Sequence, residues 1–297
     1  MITKQTTLIL GAGASKPYHF PTGQELRNKI INNTLGRTND GWESEFDNYS
    51  DINIEDVRKF GCEFEQSPLS IDAFLECRQE FLEIGKWCIA LALISEENPG
   101  ELLKNDKGKW YGYLFRKLLT QDIRQITANR LSIVTFNYDR SIDYFLINSL
   151  KHSFNVNEMQ CLEILNGIMP MHVYGKLGDL PCQNLISRSY MQKFIGLNIA
   201  VNGIDLISER ERERDKFVPI WHSINESERI YFLGFGYDET NLERLAIKES
   251  VASIIKGSSF GLGGAEKRSI SAKWNIGLPD DSNGDVLHFL KNYVYLD

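Results

Sequence analysis

The stretch Thr6-Thr7-Leu8-Ile9-Leu10-Gly11-Ala12-Gly13-Ala14-Ser15 (TTLILGAGAS) decides the fold. A short apolar run that stops at glycine reads as a buried strand ending in a tight turn. Such a turn lets backbone N–H groups approach a diphosphate, because glycine has no side chain in the way. A helix opening over Pro21–Ile31 (PTGQELRNKII) would add the field of its N-terminus, worth about 0.3–1 kcal/mol per interacting charge. The motif departs from G-x-G-x-x-G, since position 16 is Lys. Alone, it fits either a dinucleotide turn or a plain tight turn.

Further along, Leu131–Phe136 (LSIVTF), Met171–Tyr174 (MHVY), Arg229–Leu233 (RIYFL) and Ser253–Phe260 (SIIKGSSF) have strand composition and run into Asn, Gly or Asp. Helical stretches separate most of them. This alternation predicts an α/β fold, a Rossmann-like parallel sheet flanked by helices. Residues 36–127 differ in character. Asp40–Gly61 is acidic and reads as loop; Ser70–Ser95 has helical spacing, with a second half apolar all round and therefore buried. The expected organisation is a dinucleotide-binding unit over 1–35 plus 128–297, interrupted by a largely helical insertion over 36–127. Ser208–Lys216 (SERERERDK) reads as a solvated helix with i,i+4 charge pairs.

Composition narrows the function. The net charge is −7, with 42% hydrophobic and 25% charged residues, so sequence-specific nucleic-acid binding is not expected. The longest apolar run, Trp87–Ile94, falls far short of the ~20 residues of a membrane span. The N-terminus lacks a signal peptide's apolar stretch. The 5 cysteines form no C-x-x-C pair, which points away from a disulfide framework or a structural zinc site, and no metal is expected. A cytoplasmic location follows as the expectation.

Several strand exits carry polar residues, and ligands of open α/β sheets sit at the carboxyl ends of the strands. In Thr135-Phe136-Asn137-Tyr138-Asp139, Asn137 has both a donor and an acceptor for a ribose hydroxyl or a water. Asp139 suits a carboxamide; it equally suits capping of the helix that begins near Ser141. His172 is either a hydrogen-bonded core histidine or a general base. Gly234-Phe235-Gly236-Tyr237-Asp238-Glu239-Thr240-Asn241 reads as a second wall of a dinucleotide cleft, or as an ordinary βα turn capped by Asp238 or Thr240. Gly257-Ser258-Ser259-Phe260 is a further exit placed to approach an adenosine. Glycine- or Asn-terminated exits recurring in one chain fit a single shared cleft.

At these residues the chain resembles the sirtuin-like family, in particular its divergent bacterial branch in antiphage defence. The family's G-A-G-x-S is matched by Gly11–Ser15, its T-x-N-x-D by Thr135–Asp139, and its His before a glycine by His172 in HVYG. The branch's S-I-D-x-F-L is matched by Ser70–Leu75 and its G-x-G-x-D by Gly234–Asp238. The chain departs from protein-deacetylating sirtuins. Lys16–Gly23 replaces their S-G-I-P-D-F-R, and their zinc cysteines are missing, so deacylation ranks low. A nuclease also ranks low, for want of a clustered acidic motif or a basic run.

The resemblance implies hydrolysis of NAD, as substrate, to nicotinamide and ADP-ribose, in an antiviral effector that depletes host NAD. The alternative is a non-catalytic NAD- or ADP-ribose-binding sensor of a defence complex. It further implies that Asn137, His172 and Asp139 act on the nicotinamide riboside. Gly11, Ala12, Gly13, Ser15, Thr22, Phe136, Gly234, Gly236, Asp238, Asn241 and Ser258 would hold the rest. The amide of Asn137 and the imidazole of His172 are expected to face the same ribose. Such an activity must be restrained. Because the chain ends soon after its last glycine-rich strand, control is expected from homo-oligomerisation or a separate partner, a HerA-type ring ATPase being one candidate.

Overall fold

The computed structural model of the chain describes residues 1–38, 41–104, 109–191, 195–206, 213–281 and 284–297, apart from the side chains of 213–216. In chain order the strands are β1 (Thr6–Leu10), β2 (Leu131–Thr135), β3 (Met171–His172), β4 (Arg229–Leu233) and β5 (Ile254–Gly257). β1 is buried along its whole length, so it needs cover on both faces, and the centre of a parallel sheet supplies that. The 5-stranded sheet has the order β3-β2-β1-β4-β5, and every pairing is parallel. This is the Rossmann-like arrangement that alternation of strands and helices predicts.

The register aligns the strand ends. Leu10 pairs with Thr135 and with Leu233, Thr135 with His172, and Phe232 with Gly257. The exits after these strands therefore lie along one edge of the sheet. From β1 the chain order runs one way to β2 and the other way to β4. That reversal opens a crevice at the carboxyl ends, where ligands of open α/β sheets bind.

β1 and β4 have the bounds read from the sequence, and the other three strands are shorter than their sequence runs. β2 stops at Thr135, β3 is only Met171–His172, and β5 is Ile254–Gly257 rather than Ser253–Phe260. The first long helix spans Gly23–Thr34, and Thr22 caps it in a reciprocal box with Glu25. Residues 208–212 of the charged Ser208–Lys216 run lie outside the described residues; from Glu213 the backbone is helical, to Glu226.

The 36–127 segment departs from expectation in two places. Asp40–Gly61, expected as loop, holds the helix Glu43–Tyr49 and most of the helix Ile54–Gln66. Its acids mark helix starts. Asn53 caps the second helix by accepting from Glu55 N at 2.9 Å, and Glu55 and Asp56 sit in the first turn, where negative charge is favourable. Val57, Phe60 and Phe64 are buried along one stripe. The second departure is a break at Arg78, which divides Ser70–Ser95 into Ile71–Cys77, a short 3₁₀ turn, and Leu82–Ile94. The apolar second half is buried as its composition predicts. A Cβ at Gly85 would stand 2.3 Å from Leu75 Cδ1, so this glycine lets the short helix lie on the long one.

One hydrophobic core runs through the sheet and the helical segment alike. Trp110 Nε1 donates to Ala14 O at 2.8 Å, Tyr111 N donates to Tyr18 Oη at 2.6 Å, and Tyr18 stacks on Tyr111 at 3.8 Å. Each such buried hydrogen bond is worth about 0.5–1.5 kcal/mol net. Together they fasten the segment to the glycine turn. No described helix is long and apolar enough to cross a membrane.

Candidate active-site cleft

A cavity of about 890 Å³ opens where the strand exits meet, within the range of about 300–1,000 Å³ typical of ligand clefts. It is lined by Gly11, Ala12, Gly13 and Ser15 from the β1 exit, by Thr22, and by Phe136, Asn137 and Asp139 from the β2 exit. Gly234, Gly236, Asp238, Asn241 and Ser258 complete the part foreseen from sequence. His172 is the one sequence-derived site residue that does not line it.

The glycines divide into two kinds. Gly11 N donates to Leu233 O at 3.0 Å and Gly13 N to Gly234 O at 2.9 Å. A Cβ at Gly11 would lie 2.6 Å from Gly234 O, and one at Gly234, where φ is +56°, would lie 2.1 Å from Ala14 N. These glycines let two strand exits pack on each other, and the N–H groups of Gly11 and Gly13 are spent there. The expected diphosphate grip by those two donors is thus corrected. Gly236 differs: a Cβ there would meet nothing within 4 Å. Nor does a long helix follow the glycine turn directly. Only the single turn Ala12–Ser15 does, so the helix field invoked from Pro21 onward starts later, at Gly23.

Asn137 ties the β2 exit to the β1 exit. Its Nδ2 donates to Gly11 O at 3.0 Å and to Ser15 Oγ at 2.9 Å. A carbonyl oxygen can only accept, so Gly11 O fixes which end of the amide is nitrogen. Oδ1, the remaining acceptor, has no hydrogen-bond partner among the described residues.

Asp139 is buried at 5% exposure and accepts from Ser141 N at 3.0 Å and from the Ser141 hydroxyl. It is thus the acceptor at the start of the helix Ser141–Phe154, and it also reaches the cavity. Burial raises its carboxyl above the usual range, while the Ser141 and Ser15 hydroxyls act against that. Asp238 likewise has two positions: it caps Glu239–Arg244 by accepting from Asn241 N at 3.1 Å, and it lines the cavity. Ser258 Oγ accepts from Gly234 N at 2.8 Å.

His172 stands behind Asn137. Its Nδ1 lies 3.0 Å from Asn137 O and its Nε2 lies 3.0 Å from Asp143 Oδ2. Burial would raise the Asp143 carboxyl, but His172 and Lys176 outweigh it and hold it at about 2. A carbonyl oxygen and a carboxylate oxygen thus stand against the two ring nitrogens. Both nitrogens are engaged within the protein, and the residue does not line the cavity. The expectation that it faces the ribose beside the Asn137 amide is therefore corrected: it holds the Asn137 main chain from the far side.

The inner wall carries residues that the sequence reading did not single out. Tyr138 donates to Asp72 Oδ1. Arg244 Nη2 donates to Glu76 Oε1 at 2.8 Å, and Nη1 to Tyr174 Oη at 2.9 Å. Tyr174 in turn donates to Asn241 Oδ1. All of them line the cavity. The only advance signal was Asp72 itself, inside a motif given for resemblance alone; Glu76 follows four positions on, on the same helix face. The partners lie up to 168 positions apart, and no local pattern connects them.

Among the described residues, no group of three or more His, Cys, Asp or Glu is placed to hold a metal ion. No protein-family model matches the sequence, and no curated protein matches it either.

Proposed function

We propose that the chain hydrolyses NAD to nicotinamide and ADP-ribose, as a restrained effector of the kind the sirtuin-like resemblance implies. One observation carries this reading. The sequence-derived site residues, His172 apart, converge on one cavity at the switch point of the sheet, the place where such sheets bind nucleotides. In this reading NAD lies along the strand exits, with its adenosine toward Ser258 and Gly236 and its nicotinamide ribose toward Asn137. Asn137 Oδ1 accepts from a ribose hydroxyl or positions the attacking water. Asp139 reads the carboxamide. The pyridinium is already a good leaving group, so the protein's task is to hold the ribose, stabilise the developing cation and admit one water.

The test is incubation of the purified chain with NAD, followed by chromatography for nicotinamide and ADP-ribose. It should be run alone and with a co-expressed partner, because control by self-assembly or by a HerA-type ring ATPase belongs to the same proposal. Equimolar release of both products is expected. NAD left intact under every condition would overturn the enzymatic reading.

One observation favours the second reading, a sensor that binds NAD or ADP-ribose without cleaving it: the imidazole expected to act as base does not face the cavity. Calorimetric binding without nicotinamide release would decide for the sensor.

A further inference from the structure

If His172 is turned away, the proton released by the attacking water needs another acceptor on the cavity wall. The cavity's carboxylates can be sorted by what already occupies them. Glu76 is paired with Arg244 at 2.8 Å. Asp139 serves the start of the helix Ser141–Phe154. Asp238 and Asp285 cap helices at 3.1 Å and 2.7 Å, and Glu25 is engaged by Thr22 and Lys16. Asp72 is different. It projects from the helix Ile71–Cys77 and is part-exposed where the cavity reaches it. Its Oδ1 is held by the Tyr138 hydroxyl.

We propose that Asp72 is the catalytic base of this site: the carboxylate that takes the proton from the water attacking the nicotinamide ribose. The assignment rests on the hydrolase reading above. The water oxygen bonds to C1′ of that ribose as the bond from C1′ to the pyridinium nitrogen breaks. The electron pair of the broken bond stays on the ring nitrogen and leaves neutral nicotinamide. The water's proton passes to Asp72 and then to solvent. Tyr138 is a positioning residue that aims the carboxylate. His172, through the Asn137 main chain, is another.

The surroundings suit a base. Asp72 is faced by Glu76 on its own helix, Tyr138 from the β2 exit, Tyr174 from the β3 exit and Arg244 from the helix after β4. Burial raises its carboxyl above the ordinary range and Glu76 adds to this, while the Tyr138 hydroxyl and Arg244 pull the other way. A carboxylate so raised is a stronger base than one free in water.

The experiment compares the full-length wild type, Asp72→Asn and Tyr138→Phe in NAD turnover across pH, with calorimetric NAD binding measured alongside. Asp72→Asn keeps the shape and the bond from Tyr138 but cannot accept the proton. Its kcat should fall about 10²–10⁴-fold, the usual contribution of a general base, with binding changed only a few-fold; retained binding also shows that the variant is folded. Tyr138→Phe removes a group that holds the Asp72 carboxyl down, so the acid limb of kcat should move to higher pH. If Asp72→Asn turns over at the wild-type rate, the assignment is overturned and the hydrolase reading survives. An unmoved acid limb in Tyr138→Phe would assign Asp72 a structural role and overturn it too. Wild type that binds NAD and never releases nicotinamide removes the hydrolase reading, and the base with it.

Discussion

Two clusters join the helical segment to the sheet, and they are built from similar parts. In the first, Glu97 lies between two guanidinium groups. Arg140 reaches its Oε1 through Nε at 3.0 Å and Nη2 at 2.8 Å; Arg188 reaches its Oε2 through Nη1 at 2.6 Å and Nη2 at 2.5 Å. All three side chains are 0% exposed. Burial pushes the Arg188 guanidinium down to about 10, with Arg140 adding to it and Glu97 opposing. In the second, Asp72, Glu76, Tyr138, Tyr174, Asn241 and Arg244 form a wall that stays open to the cavity. The first cluster is closed: both carboxylate oxygens are saturated and water is excluded, so it fixes one arrangement of chain segments. The second leaves acceptors where a ligand can reach them. Polar side chains between two packed segments act as a staple when sealed and as a site when they border a cavity.

This contrast can be broken at the closed end first. Glu97→Ala leaves two buried guanidinium groups facing each other and should cost about 3–5 kcal/mol of stability, read by chemical denaturation. If it were neutral, the cluster would not be a staple. Next comes His172→Ala, which belongs to neither cluster but supports the site from behind. It removes a bond to the Asn137 main chain and a partner of buried Asp143, so a stability loss of about 1–3 kcal/mol is expected. A collapse of NAD turnover with no change in the unfolding midpoint would instead restore a direct role for the imidazole.

The smallest effect concerns Asp143 and acid. Its folded carboxyl is held at about 2, below the ordinary 3.8. A carboxyl depressed in the folded state contributes stability that is complete above the unfolded value and lost as pH falls through the folded one. That window runs from about pH 4 down to about pH 2, and the contribution is on the order of 2 kcal/mol. Asp143→Asn should flatten the stability profile in that window; an unchanged profile would show that the His172–Asp143–Lys176 contacts are not maintained in solution.

Much of the cleft was legible because strand exits are local features. A run such as Leu131–Thr135 declares itself by its apolar residues, and the Phe136-Asn137-Tyr138-Asp139 that follows must then stand at its carboxyl end. The acidic stretch Asp40–Gly61 has the charge of a loop, whereas its Glu55 and Asp56 belong to a helix start. The direction of His172 was hidden for another reason. A strand of two residues, Met171–His172, is too short for period-two alternation to say which side faces the ligand.

By itself, the amino-acid sequence determined that β1 is buried, that parallel strands alternate with helices, and that the polar exits share one cleft. These follow from hydrophobic periodicity and glycine placement within a few residues of each other. Only the tertiary structure decided that Gly11 and Gly13 spend their N–H groups on the β4 exit, that His172 faces Asp143, and that Asp72 meets Tyr138 across 66 positions. Those pairings depend on how the helical segment packs on the sheet. Packing is settled by the sum of many distant contacts, and no short window of residues contains it.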